Sequence, residues 1–291
     1  MKFEFIGKLY SKPTLIFLAP MLAYLLIWRI FPLLYTVSLS FHDWNMVRQT
    51  SPSFVGFSNY HDLLLDSRFH HSLYISLIFM VVGTGLEVVI GTSMAIATDR
   101  TLKGKGFIQG VLIVPMILTP VAVGTIWHIL YEPSIGPINY FLEILRLTPI
   151  NWLGSTSTAL WAIVIADIWE WTPFIYVLVL SGLQTIPKTI VEAAEIDGAS
   201  GFDIVRLITL PLLKGTMAVA ALLRAMDAFR VFPKIYVMTG GGPARSTESV
   251  SILIYKTAFR FFEMGYGASM IIIVLLLLII IYGSYLRMVR V

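Results

Sequence analysis

Long apolar runs alternate with short charged connectors along the whole chain. The runs cover roughly 14–40, 72–98, 107–131, 158–184, 215–238 and 267–286. A helix rising 1.5 Å per residue needs about 20 residues to cross a hydrocarbon core, and each run meets that length. No connector reaches the size of an independent domain. The pattern therefore predicts an all-α integral membrane protein, with six transmembrane helices forming one domain over 1–291. The first apolar stretch, from about Thr14 to Phe41, is too long for a secretory signal. No A-x-A-like cleavage site follows it, so it reads as a retained signal anchor.

Composition agrees with this reading. The 291 residues are 57% hydrophobic and 13% charged, whereas soluble domains carry about a quarter charged residues. The absence of cysteine excludes disulfides, thiolate metal sites and cysteine nucleophiles. The net charge of +4 sits in short connectors rather than on a patch, which argues for membrane topology and against nucleic acid. One set of connectors and termini holds eleven basic residues: Lys2, Lys8, Lys12, Arg100, Lys103, Lys105, Lys188, Arg206, Lys214, Arg287 and Arg290. The opposite set holds six: Arg48, Arg68, Arg146, Arg245, Lys256 and Arg260. The positive-inside rule places the richer set in the cytoplasm, with both termini and the loop 187–214. Trp44, Tyr60, Trp152 and Tyr282 fall near span ends, as interfacial aromatics do. Thr239–Pro243, with three glycines and a proline, reads as a non-helical turn on the outer side. No internal repeat is visible.

The cytoplasmic loop has a legible shape. Thr189 to Asp197 can form a short helix with Ile190, Ala193 and Ala194 on one face and Glu192 and Glu195 on another. Small alanines permit close approach of a partner, and the carboxylates offer charge-assisted contacts at its edge. Asp197-Gly198 should end the helix, since glycine takes the left-handed conformation readily. Ser200 and Asp203 have capping-box spacing, so a second helix is expected from Gly201 into the fifth span, with Pro211 marking a bend. No second carboxylate, histidine or metal ligand is placed to work with Glu192, so it is not read as catalytic. No G-x-x-x-x-G-K-[ST] phosphate loop occurs, and Lys103-Gly104-Lys105-Gly106 lacks both the preceding strand and the following hydroxyl.

Ionisable residues inside apolar runs are functional candidates by default. Here they are Arg29, Glu87, His128, Asp167, Glu170, Arg224, Asp227, Arg230 and Lys234. Arg29 and His128 read as structural. Asp167, Trp169, Glu170 and Trp171 form one polar-aromatic knot; Arg224, Asp227, Phe229 and Arg230 form another. Arg224 and Asp227, three apart, favour an intrahelical ion pair. Carboxylates beside aromatic rings also suit a sugar path, where CH faces stack and hydroxyls bond to the acids.

The segment Glu192-Ala193-Ala194-Glu195-Ile196-Asp197-Gly198, followed after nine residues by Ile208-Thr209-Leu210-Pro211, resembles the E-A-A signature of permease subunits of ATP-binding-cassette importers. The resemblance extends over most of the chain. It includes Leu18-Ala19-Pro20, Phe31-Pro32-Leu33-Leu34-Tyr35, Leu39 to Asn45, Phe54-Val55-Gly56-Phe57-Ser58-Asn59-Tyr60, Arg224 to Phe232, and Ile235 to Pro243. These look like the first permease of maltose- and glycerol-3-phosphate-type importers. Pro233 departs from the acidic residue expected in many relatives.

The resemblance implies a type I importer permease fold with a cytoplasmic coupling helix. Glu192, Ala193, Ala194, Asp197, Gly198 and Pro211 would serve ATPase coupling, and no cofactor would bind this chain. It further implies a second homologous permease, two ATP-binding subunits holding ATP and magnesium, an extracytoplasmic sugar-binding protein, and a carbohydrate substrate moved across the inner membrane by alternating access. Glycerol-3-phosphate or a polyol is the alternative within the class, kept open by Arg224, Arg230 and Lys234. Outside it stand an ion-coupled secondary transporter using Asp167, Glu170 and Asp227 as relays, and a membrane-embedded enzyme.

Overall fold

The computed structural model describes residues 12–99 and 104–289. Lys2, Lys8, Arg100, Lys103 and Arg290 lie outside them. The chain divides into two compact units. The first takes residues up to Asp66 together with Ile254–Leu277; the second takes Ser67–Leu253 and the chain from Leu278 onward. The helix Met264–Val289 contributes to both.

In the first unit, the apolar helix Phe17–Leu39 has no buried residue within this chain. Arg29 is exposed on its π-helical turn Leu26–Ile30. The connector after it leaves the helical conformation. His42–Asp43 and Ser53–Phe54 pair as a short antiparallel hairpin. Asn45 drives the departure: its Oδ1 accepts from the Val47 N–H at 3.0 Å, and this local turn competes with helix. Asn59 Nδ2 donates to the Ser40 and His42 carbonyls at 3.0 and 2.9 Å, which holds the hairpin against helix Ser58–Leu65.

The second unit contains the spans Ser67–Thr98, Ala159–Leu183 and Gly201–Met238. Two of the expected spans differ in form. The run 107–131 is not one straight helix but two, Gly106–Ile117 and Pro120–Leu130, bent by 97°. Pro120 is the cause: it drives Thr119 into the extended region (ψ 144), and the Thr119 side chain then caps the second helix by accepting from the Ala122 N–H. The fifth span is longer than 215–238 and broken. A helix ends at Phe229, and a short one resumes at Pro233–Met238. Pro233 supplies the physical reason, because it lacks the N–H that would bond the Phe229 carbonyl four residues back, and its ring would clash with that carbonyl.

Helices Thr84–Thr98 and Ala159–Leu183 pack at close range. A Cβ on Gly91 would lie 2.9 Å from the Ile175 Cβ and 3.0 Å from the Thr172 carbonyl oxygen, so only glycine permits this approach. Apolar clusters form on both sides of the crossing. One gathers Ile75, Phe79, Ile163, Ile235 and Ile252; the other gathers Ala95, Ile175, Val179, Leu213 and Ala220. The Tyr282 and Tyr285 hydroxyls donate to the Ala225 and Ala218 carbonyls and hold the C-terminal helix to the fifth span.

Candidate functional site: a buried ion cluster and an exposed finger

Five ionisable side chains from four elements meet inside the second unit. Glu87 comes from helix Thr84–Thr98, and Asp167 and Glu170 from Ala159–Leu183. Arg224 comes from Leu210–Phe229 and Lys234 from Pro233–Met238. Each is at most 2% exposed. The Arg224 guanidinium is the hub. Its Nε lies 2.7 Å from Glu87 Oε2, and its Nη2 donates to Glu87 Oε1 at 3.0 Å and to Asp167. The Lys234 ammonium contacts Asp167 and lies 2.5 Å from Glu170 Oε2. Asp167 thus binds both cations, one from each side of the break in the fifth span. The Trp171 ring lies 5.1 Å from the Arg224 Cζ and 5.9 Å from the Lys234 Nζ, within cation–π range. Bare charges in an apolar interior are costly, and planar guanidinium forks are suited to satisfying carboxylates there.

The residues proposed for a sugar path are divided by this arrangement. Asp167, Glu170 and Arg224 come together, but mainly to bind one another. The intrahelical pair is present, with Arg224 Nη1 donating to Asp227 at 3.1 Å, yet it is the outermost contact of the hub. Asp227 is exposed, its side chain 56% accessible, and marks the rim. Phe229 is a core residue, almost fully buried. Trp169, Arg230 and the half-buried Trp171 keep accessible surface, and Trp169 packs edge-on against Trp127 at 5.8 Å between centroids. His128 donates from Nδ1 to the Met238 carbonyl at 3.2 Å, a structural role.

Glu87 and Lys234 complete the cluster but were not placed on the path by sequence. Their presence in apolar runs was the available signal. Nothing in the spacing could pair Glu87 with Arg224 across 137 positions.

The second feature is the loop at 187–214. Lys188–Ile196 is a nine-residue helix with no buried residue. Ile190 and Ile196 are exposed, as are Glu192, Ala193 and Glu195. The helix ends as the spacing predicts. Gly198 is left-handed (φ 84°), and the N–H groups of Asp197, Gly198 and Ala199 return to the carbonyls of Ala193, Glu195 and Ala194. Ser200 and Asp203 then form a reciprocal capping box. From Gly201 the helix runs through a π-helical stretch, Ile204–Thr209, into Leu210–Phe229. Pro211 sits in the first turn after that stretch, where its missing N–H is tolerated. The exposed helix is therefore joined by one short turn to the helix that carries Arg224.

Residues 9–290 match the family described as binding-protein-dependent transport system inner membrane component. The chain is 39% identical to the trehalose/maltose transport system permease protein MalF of Thermococcus litoralis, over 88% of its own length and 85% of that protein's. It is 34% identical to the trehalose transport system permease protein SugA of Mycobacterium tuberculosis, covering 82% and 76%. It is 33% identical to the sn-glycerol-3-phosphate transport system permease protein UgpA of Agrobacterium fabrum, covering 75% of each. Its fold matches a chain of a bacterial ABC transporter that imports the acidic polysaccharide alginate, with TM-score 0.84 at 19% identity over 99% and 98% of the two chains.

Proposed function

The chain belongs to the family of binding-protein-dependent transport system inner membrane components, and from that premise we propose that it forms half of the translocation pathway of an ATP-driven sugar importer. In this reading the chain is one membrane domain with both termini cytoplasmic. It hydrolyses nothing itself. A second homologous permease completes the pathway, two ATP-binding subunits hold ATP and magnesium, and an extracytoplasmic binding protein delivers a di- or oligosaccharide.

The single observation that carries the reading is the finger. An exposed nine-residue helix with small alanines and two carboxylates is joined by one turn to a membrane-spanning helix. A surface of that kind receives a partner. Its attachment passes a partner's rigid-body movement to the fifth span, because packed elements shift between discrete arrangements rather than deform continuously. ATP-driven closure of the ATPase dimer would carry the finger with it and open the pathway outward. Hydrolysis would reset it. Coupling requires only that sugar and ATP each bind the two states differently.

Glu192, Ala193, Ala194, Asp197, Gly198 and Pro211 serve the coupling. Trp169, Trp171, Asp227 and Arg230 are the path candidates that retain accessible surface. The ion cluster favours a neutral sugar over a charged solute such as glycerol-3-phosphate. Arg224 and Lys234 are already bound by carboxylates, which leaves Arg230 exposed among the three cations that would have suited an anion.

The test is sugar uptake by a Gly198→Pro variant in the assembled complex. Proline fixes φ near −65°, whereas this turn needs φ 84°. Uptake should be lost while the binding protein still takes up sugar; normal uptake would overturn the reading.

A further inference from the structure

The connector between the bent span and the span starting at Ala159 contains a feature that coupling and transport leave unused. Pro137–Ile144 is an eight-residue helix. At 100° per residue, Ile138, Asn139 and Leu142 share one face, and Tyr140, Phe141 and Ile144 share the opposite one. The first face is pinned to the protein. Buried Asn139 donates from Nδ2 to the carbonyls of Pro133 and Ile150 at 3.3 and 3.0 Å. Its Oδ1 accepts from the Ile150 N–H at 3.2 Å and from the Trp152 indole N–H at 2.9 Å. The second face is bare within this chain: Tyr140 and Phe141 are 62% exposed and Ile144 59%, with Leu145 and Leu147 exposed beside them.

We propose that this helix is an interfacial anchor, lying in the plane of the membrane surface with Tyr140, Phe141 and Ile144 inserted among lipid chains. Its depth follows from its neighbours. Taking the bent pair Gly106–Leu130 as one span, as the six-span reading does, places both ends of the connector on the same side of the membrane, the outer one in the orientation proposed above, and Asn139 ties the helix to Pro133, three residues past Leu130. Beside it Trp127, Tyr131 and Trp152 pack in series, tilted, with centroids 5.2 Å apart at each step, Tyr131 buried in the core and the two tryptophans half-buried against it. The Trp152 indole bonds directly to Asn139, which holds the helix level with that group. An apolar face turned outward at this depth meets acyl chains, while Glu143 and Arg146 at its edge reach headgroups, as in amphipathic surface helices. Lipid suits the face better than a protein partner does, because its three central side chains offer a single hydrogen-bonding group, the Tyr140 hydroxyl.

This chain has no cysteine, so labelling is confined to the introduced positions once any cysteines of the partner subunits are replaced by serine. Single cysteines at Phe141 and Ile144, and at exposed Thr50 as an aqueous reference, are spin-labelled in the assembled importer reconstituted in lipid nanodiscs. Wild-type sugar-stimulated ATP hydrolysis verifies assembly, and two separate positions keep the test readable if one variant does not assemble. Collision rates with oxygen and with a water-soluble nickel chelate are then compared. The anchor predicts an oxygen-to-nickel ratio at 141 and 144 several-fold above that at 50. A ratio equal to that at 50 overturns it in favour of water. Low collision with both reagents overturns it in favour of a protein occupant, such as the second permease or the binding protein.

Discussion

Replacing Lys234 by methionine should expose how much the buried ion cluster contributes. Methionine keeps the unbranched apolar stem and removes the ammonium, so three buried carboxylates are left with Arg224 alone. Lys234 is 2% exposed, and its partners Asp167 and Glu170 are equally enclosed. Stranding one member of such a pair costs about 3–5 kcal/mol, whereas an exposed pair contributes at most ~1 kcal/mol. At roughly 2–4 °C per kcal/mol for a large domain, the thermal midpoint should fall by about 10 °C. Adding Glu170→Gln removes the stranded charge without changing shape. The double variant should therefore be more stable than Lys234→Met alone, with a coupling energy above ~1 kcal/mol, outside the ~0.5 kcal/mol of additive sites. Exposed Arg230→Met serves as the control and should shift stability by less than about 0.5 kcal/mol. The assay is thermal unfolding of the purified complex in one fixed lipid–detergent mixture. A drop of under about 3 °C for Lys234→Met, or additivity with Glu170→Gln, would refute the claim that these charges are bound to each other in a dry interior.

Three further outcomes are expected. Gly91→Ala forces a Cβ against Ile175 and the Thr172 carbonyl; it should destabilise the helix crossing by about 1–3 kcal/mol, and an unchanged thermal midpoint would contradict the packing described. Ser200→Ala removes the hydroxyl that accepts from the Asp203 N–H; it should weaken the start of the second finger helix by about 1 kcal/mol, read as faster hydrogen exchange at the amides of 201–204. Trp152→Phe deletes the indole donor to Asn139, leaving one acceptor site unused; a loss of about 1 kcal/mol in thermal stability is expected, and no loss would mean that the bond does not hold the connector helix.

Much of this protein was readable before any coordinates, and particular residues show why. Gly198 and the Ser200–Asp203 pair are local signals, acting over four residues or fewer, and the structure has both in the expected geometry. Pro120 and Pro233 are equally visible, yet the hydrophobic runs around them are long enough to predict a span each. The runs 107–131 and 215–238 are accordingly each read as a single span. At Pro120 the effect on its predecessor outweighs apolar continuity, and at Pro233 the missing N–H and the clash with the Phe229 carbonyl do so. The hairpin at His42–Phe54 leaves no such signal in the sequence, since two-residue strands carry no period.

The candidate path was legible as composition and not as geometry. Asp167, Glu170 and Arg224 stood out because charge in an apolar run is costly, a fact that needs no partner to be noticed. Which charges bind each other depends on how four elements pack, and no spacing rule links positions 87, 167, 224 and 234.

Hydrophobic run length determined by itself that this chain lives in a membrane, and local turn chemistry determined the shape of its finger. Both follow from interactions within a few residues or with solvent. Only the tertiary structure decided that Asp167 binds cations on both sides of the break in the fifth span. It alone decided, too, that Tyr140, Phe141 and Ile144 face away from the protein while Asn139 is locked within it. Those outcomes rest on distances between segments far apart in the chain, and burial turns such distances into energy.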